Sequence, residues 1–214
     1  MTASTLAHDF ELETSARAPG FNRPQRIGRL LWAPMLAMAL MAFPIALLLG
    51  FARSAAVTDG TDPAAIAALG QFGAAFMFLG FASVFAAISF AIARILGVFR
   101  VGGGQVQETA GRTVKTLKMP LTAKVFIALM VMAMMAILLP VMAHFGIGLA
   151  ILGGNETALA NSPAWFDWLE GARRVGTATY LLAIAFGLVS IIEVLRFQAL
   201  RIRELPTEAP AAAR

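Results

Sequence analysis

Four long stretches without a formal charge divide the sequence, and each is long enough for a helix to cross a bilayer. The stretches are Leu30–Ala52, Ala64–Ala93, Val125–Asn155 and Val175–Ile192. An apolar helix of about 17–25 residues spans the hydrocarbon core of a membrane. With 59% apolar and only 14% charged residues, the chain is not an ordinary soluble protein. The sequence therefore predicts an all-α, polytopic integral membrane protein with four transmembrane helices in a bundle.

Lys and Arg residues are concentrated on one side of these predicted spans. If the four spans alternate in direction, all but Arg53, Arg173 and Arg174 of the 17 basic residues fall on the same side. Short loops that are rich in Lys and Arg stay in the cytoplasm, so both termini are predicted to be cytoplasmic. This rule explains the net charge of +5 without a nucleic-acid partner. The Ala/Arg/Gly-rich composition favours a bacterial cytoplasmic (inner) membrane.

The distribution of polar segments predicts the domain organisation. We expect a polar cytoplasmic leader over residues 1–29, a four-helix transmembrane bundle over 30–203 and a disordered tail over 204–214. The four spans are predicted at about 30–52, 70–95, 125–147 and 175–195. Between them we expect a basic cytoplasmic loop over 100–124 and an outer interfacial helix over 163–171. The pairs Asp62-Pro63 and Ser162-Pro163 each predict a helix start, with an N-cap residue followed by proline. A partial match between the first and third spans, 96 residues apart, leaves a 2+2 internal repeat open.

Small residues recur along one face of the second predicted helix. They are Gly73, Gly80, Ser83, Ala87 and Ala91. Small faces let helix backbones approach closely in lipid, so this face is expected to pack within the chain or against another protein.

Prolines inside two of the spans predict kinks. Pro44 lies well inside the first span and Pro140 inside the third. A proline within a helix removes one backbone hydrogen bond and clashes with the preceding turn. We therefore expect both helices to bend at these positions.

His144 and the methionines are the candidate metal ligands. His144 is the only histidine in a predicted span, and imidazole and thioether groups suit Cu(I). His144, Met38 and Met134 are therefore the candidate site, although methionine also serves as an adaptable packing residue. A haem would need Met or a partner chain to supply its second ligand. The cofactor content stays open, with none as the main expectation.

Glu193 is the acidic residue nearest to the core of a predicted span. Arg196 follows three residues later, so the two side chains can pair on one helix face. Arg94 is another possible partner. We expect an ion pair of Glu193 with Arg196 at the inner interface, where pairing lowers the cost of a charge near lipid.

The sequence carries no set of residues that points to an enzyme. There is no P-loop pattern, no paired intramembrane carboxylates and no cysteine. This pattern favours a non-enzymatic multi-pass membrane protein, an accessory or assembly subunit that binds a protein partner or a second copy through its small-residue face. The alternative is a small oligomeric transporter or channel. The second alternative is a copper or haem-linked redox protein that uses His144 and Met residues.

Overall fold

Four long helices dominate the structure, a computed structural model that describes residues 10–208. They are α1 (Arg23–Thr58), α2 (Pro63–Thr109), α3 (Leu121–Leu152) and α4 (Glu156–Glu204). Each of the four is long and apolar enough to cross a membrane. The prediction of a helical protein with four candidate membrane spans is therefore confirmed.

A small antiparallel sheet adds an element that the all-α prediction lacks. Strand β1 (Leu12–Ser15) pairs with β2 (Val114–Leu117), with Leu12 opposite Leu117 and Ser15 opposite Val114. Val114 and Thr116 alternate with less buried neighbours, the period that a half-buried strand requires. The strands lie in the predicted leader and the predicted basic loop, where no strand was expected.

Helix α1 begins inside the predicted leader because a capping box starts it. The Asn22 Oδ1 atom accepts a hydrogen bond from the Gln25 backbone N–H at 3.1 Å, and the Gln25 Oε1 atom accepts one from the Asn22 N–H at 3.0 Å. This reciprocal arrangement satisfies two backbone donors at once. The leader prediction of residues 1–29 therefore missed seven helical residues.

Helix α2 also extends beyond its predicted span and takes up the first half of the predicted loop. It starts where expected, because Asp62 Oδ1 accepts a hydrogen bond from the Ala64 N–H at 3.2 Å. It ends at Thr109, before Gly111, whose φ of 64° suits the residue that follows a helix. The three consecutive glycines from Gly102 onward lie within the helix.

Helix α4 is continuous, so the separate interfacial helix predicted over 163–171 is not formed. Asn155 caps it, accepting a hydrogen bond at Oδ1 from the Ala158 N–H at 2.9 Å. Pro163 lies inside the helix, and the predicted start at Ser162-Pro163 is therefore wrong. The earlier cap at Asn155 outcompetes it.

The predicted disordered tail over 204–214 begins with ordered residues. Leu205–Thr207 forms a 3-10 turn, and Glu208 is held by ion pairs. Residues 209–214, like residues 1–9 of the predicted leader, lie outside the described part of the chain.

The chain divides into two compact units. Unit 1 consists of Met1–Leu31, Ser89–Ile127 and Ile184–Arg214, and unit 2 consists of Trp32–Ile88 and Ala128–Ala183. Unit 2 has a core in which Phe78 of α2 and Tyr180 of α4 pack with residues of α3 that include Ala133 and Ile137. In unit 1, Phe126 and Phe197 are buried.

Candidate functional site

The small-residue face of α2 packs within the chain. A Cβ atom added to Gly80 would lie 2.7 Å from Cε1 of Phe43 in α1, far inside the usual 3.5–4.0 Å carbon–carbon separation. Ser83 and Ala87 are buried, Ala91 is half-buried, and Gly73 lies next to Leu49. Gly80, Ser83 and Ala87 therefore cannot receive a partner without repacking, and the accessory-subunit function stays an untested prediction.

His144 belongs to a buried hydrogen-bond network that joins three helices of unit 2. Its Nδ1 atom lies 2.5 Å from Oε1 of Gln71 in α2, and the Gln71 Nε2 atom donates to the Ser162 Oγ atom of α4 at 2.9 Å. All three residues are buried, with His144 at 0% exposure. Sequence reasoning identified His144 and missed its two partners, because neither Gln71 nor Ser162 carries a charge.

This hydrogen-bond network fixes which ring nitrogen of His144 carries the proton. Gln71 Nε2 also lies 3.4 Å from the Ser162 carbonyl oxygen, which can only accept a hydrogen bond. The amide nitrogen must therefore face Ser162 and the amide oxygen must face His144. The Nδ1 atom of His144 is then the donor, and Nε2, which has no partner among the described residues, presents a lone pair when the ring is neutral.

The candidate metal ligands differ in their burial and surroundings. The ring of His144 lies edge-to-face against Phe78 and Phe166, at centroid distances of 5.1 and 5.4 Å. Met38 and Met134 are 40% and 37% exposed, whereas His144 is fully buried. The His144 ring contacts aromatic and amide groups, and the metal site stays a prediction.

Glu193 is held by a hydroxyl group in place of the expected ion pair. Its Oε2 atom accepts a hydrogen bond from Thr122 Oγ1 at 2.6 Å, and Ser190 Oγ donates to Thr122 Oγ1 at 3.0 Å. Within residues 10–208 no ion pair joins Glu193 to Arg196. The hydroxyl pair can satisfy the carboxylate at close range, which the i,i+3 spacing alone did not reveal.

Pro44 and Pro140 lie inside α1 and α3, which continue past them. The kinks and the 2+2 internal repeat stay predictions.

Unit 1 contains a cavity of about 290 Å³, close to the lower end of the 300–1,000 Å³ range of small-molecule pockets. Most of its wall is apolar, with Leu96, Phe126, Val194 and Phe197 among the lining residues. Phe126 and Phe197 are each 1% exposed. The wall therefore provides a dry surface for an apolar group.

Uncharged polar groups reach the cavity from two of its helices. Gln25 of α1, Ser190 and Gln198 of α4 all line it. The oxygen of the Gln25 amide accepts from the Asn22 N–H, so the amide nitrogen points elsewhere. Among the described residues that nitrogen forms no hydrogen bond, and it is not one of the fully buried unpaired atoms. It is therefore available to donate to a ligand acceptor in the cavity.

Charged side chains surround the solvent-exposed end of the same cavity. Arg100 pairs with Glu13 of β1 at 3.5 Å, and Lys118 pairs with Glu11 at 2.9 Å. Glu13, Arg100 and Lys118 line the cavity. The Glu13 and Lys118 side chains are 62% and 63% exposed, so they mark its opening. The Lys118 ammonium lowers the pKa of Glu11 through a hydrogen bond and its charge.

A buried arginine fixes the end of unit 1 next to this sheet. Arg201 is 1% exposed and donates to Gln107 Oε1 at 2.7 Å and to the Thr113 carbonyl oxygen at 3.0 Å. It also donates hydrogen bonds to both carboxylate oxygens of Glu208, at 2.6 and 2.7 Å. Hydrogen bonds from Arg201 and then from Lys115 lower the pKa of Glu208 to about 2. This network positions the residues around β2 and has a structural role.

Sequence reasoning missed the cavity, although one local signal for it was present. The Asn22-x-x-Gln25 pattern is a capping box and places Gln25 in the first turn of α1. The rest of the wall comes from separate segments that begin at Ala93, Thr116 and Ser190, which no local pattern connects.

The fold defines the chain as a helical protein with four candidate membrane-spanning helices, which points to an integral membrane protein. Comparison with protein-family models, with curated proteins and with solved structures finds no match.

Proposed function

We propose that this chain is a non-enzymatic multi-pass membrane protein that binds a small, largely apolar molecule in the cavity of unit 1. The observation that carries the proposal is the cavity itself, which combines an apolar wall with polar lining groups such as the Gln25 amide. Apolar pockets with a few converging polar groups are the usual form of small-molecule sites. The proposal keeps the non-enzymatic class expected from the sequence and replaces the predicted partner face with a ligand site.

We place unit 1 on the cytoplasmic side of a bacterial inner membrane, with both termini there. The charge distribution supports this placement. Among the described residues, unit 1 carries 13 of the Lys and Arg residues against six acids, whereas unit 2 carries three against five. Such an excess of Lys and Arg is typical of the cytoplasmic side of a membrane protein. Cysteine-labelling of unit 1 and unit 2 positions in intact cells, with a membrane-impermeant reagent, tests the placement.

The absence of cysteine from the sequence allows a sharp test of the cavity. Ser190 lines the cavity and Ser89 does not, yet both belong to unit 1 and both are 0% exposed. The single variants Ser190→Cys and Ser89→Cys are therefore matched in chemistry and burial. Each would be reacted with methyl methanethiosulfonate in phosphatidylcholine nanodiscs, and the rate followed by mass spectrometry of the intact protein.

We expect Ser190→Cys to react at least about tenfold faster than Ser89→Cys, because a small reagent reaches a thiol only through open space. Both variants should elute at the same volume as the wild type in size-exclusion chromatography. Equal rates would show that the cavity does not admit small molecules and would refute the proposed function.

A further inference from the structure

We infer that the cavity of unit 1 selects an amphiphile with an anionic head, in which an apolar chain is joined to a carboxylate or phosphate. The inference rests on the proposed function and adds the chemical class of the ligand. It depends on the order of groups along the cavity, on the charge at its opening and on the free amide donor of Gln25.

The charged side chains of the cavity lie at its exposed part, and its buried part is lined by aromatic side chains with a few uncharged polar groups. Phe126, Phe197 and Ser190 are the least exposed lining residues, whereas the Glu13 and Lys118 side chains are mostly exposed. A molecule that fills this space must present an apolar part to the aromatic wall and a polar part to the opening. A uniformly apolar molecule would leave the polar lining groups without hydrogen bonds. A uniformly polar molecule would make no apolar contact with the aromatic wall.

Arg100 is the basic group at the opening that an anion can reach. Arg100 and Lys118 line the cavity together with Glu13, and Lys118 is already paired at 2.9 Å with Glu11, which does not line the cavity. The Arg100–Glu13 pair is long, at 3.5 Å, and the Glu13 side chain is exposed, so this pair contributes little on its own. An anionic ligand can therefore compete with Glu13 for the Arg100 guanidinium, whose fork of donors matches a carboxylate or phosphate.

Gln25 supplies a neutral donor for the same head group. Its amide oxygen is fixed by the Asn22 N–H at 3.0 Å, so the amide nitrogen is the group left to face a ligand. An amide N–H donates and cannot stabilise a cation. Gln25 also lies in the first turn of α1, where the helix dipole is positive. The amide donor, the positive end of the helix dipole and Arg100 therefore all favour an anionic ligand.

The test measures protection of Ser190→Cys from methyl methanethiosulfonate in phosphatidylcholine nanodiscs. Decanoate and decanol share a ten-carbon chain and differ in charge at pH 7. We expect decanoate to halve the labelling rate at about a tenfold lower concentration than decanol, the effect of one added charge-assisted hydrogen bond. Equal protection by decanol and decanoate would overturn the anionic inference and leave the proposed function standing. No protection by either, with Ser190→Cys still reacting fast, would overturn the inference as well.

A pair of charge variants separates direct recognition by Arg100 from the overall electrostatic attraction of the basic unit 1. Arg100→Gln removes a cavity charge, and Arg203→Gln removes an equal charge at an exposed position that does not line the cavity. In the Ser190→Cys background, Arg100→Gln should raise the protective concentration of decanoate about tenfold and leave that of decanol unchanged. Arg203→Gln should change neither. An equal effect of both variants on decanoate would contradict a direct contact with Arg100.

The same assay distinguishes a free acid from a lipid head group as the source of the anion. Nanodiscs with phosphatidylglycerol and no decanoate are compared with phosphatidylcholine nanodiscs. Protection by phosphatidylglycerol alone would identify an anionic lipid, and protection by decanoate alone would identify a free carboxylate. Either result supports the shared chemistry, whereas slower labelling with decyltrimethylammonium than with decanoate would overturn it.

Discussion

Helices α1 and α2 lie in close contact at Gly28, and a single methyl group tests that contact. A Cβ atom added at Gly28 would lie 2.6 Å from the Phe90 backbone oxygen and 3.0 Å from the Ala93 Cβ atom. The nearest atom belongs to the backbone, so no side-chain rotation relieves the collision, and the two helices must separate. Gly28→Ala is therefore expected to destabilise unit 1.

The expected magnitude is the difference between two opposing effects. Overpacking a well-packed contact costs about 1–3 kcal/mol, and replacing glycine by alanine in a helix gains about 1 kcal/mol. We expect a net loss of up to about 2 kcal/mol at Gly28. For a chain of this size, that loss lowers the melting temperature by up to about 8 °C.

Gly50 provides the matched control in the same helix. A Cβ atom at Gly50 meets nothing within 4 Å, so Gly50→Ala changes only helix propensity and should raise the melting temperature by about 2–4 °C. Both variants would be melted in dodecyl maltoside with circular dichroism at 222 nm. If Gly28→Ala is as stable as Gly50→Ala, α1 and α2 do not meet at Gly28 and the packing described for unit 1 is wrong.

Two further predictions concern buried polar networks. Gln71→Leu removes the acceptor of His144 and the donor to Ser162. Each buried group left without a partner costs about 1–3 kcal/mol, so the melting temperature should fall. An unchanged melting temperature would show that the hydrogen bonds of Gln71 to His144 and Ser162 are not formed. Glu208→Gln should weaken the hold on Arg201 and lower the melting temperature at pH 7. Because the pKa of Glu208 is lowered to about 2 from 4.5, its stabilisation is complete above pH 4.5 and is lost as the pH falls towards 2. The difference between wild type and Glu208→Gln should shrink over that window, and a constant difference would argue against the ion pair.

Part of the fold follows directly from local sequence. The uncharged stretches indicated the four helices, because the bilayer length requirement is a property of consecutive residues. The helix start at Asp62-Pro63 was also correct, since an N-cap acts within a single turn. The start at Ser162-Pro163 had the same pattern and was wrong. An equally local signal at Asn155 begins the helix earlier, and the sequence does not rank the two.

The candidate site was predictable only in its parts. His144 stood out as the single histidine in a predicted span, but its partners Gln71 and Ser162 lie 73 residues before it and 18 after it. Glu193 was expected to pair with its near neighbour Arg196 and instead meets Thr122, 71 residues away. Short spacings along a helix show which neighbouring pairs are possible. They do not show which residue from a distant segment packs against the side chain in the folded protein.

The sequence by itself determined the class of protein, the number of long helices and the uneven distribution of charge. The tertiary structure decided that Gly80 packs on Phe43, that β1 joins β2 across about 100 residues, and that unit 1 encloses a cavity. The physical reason is that these helices are apolar around much of their circumference. A helix without a polar face gives no periodic signal for its buried side. Only the packed chain therefore shows which faces meet and what space they leave.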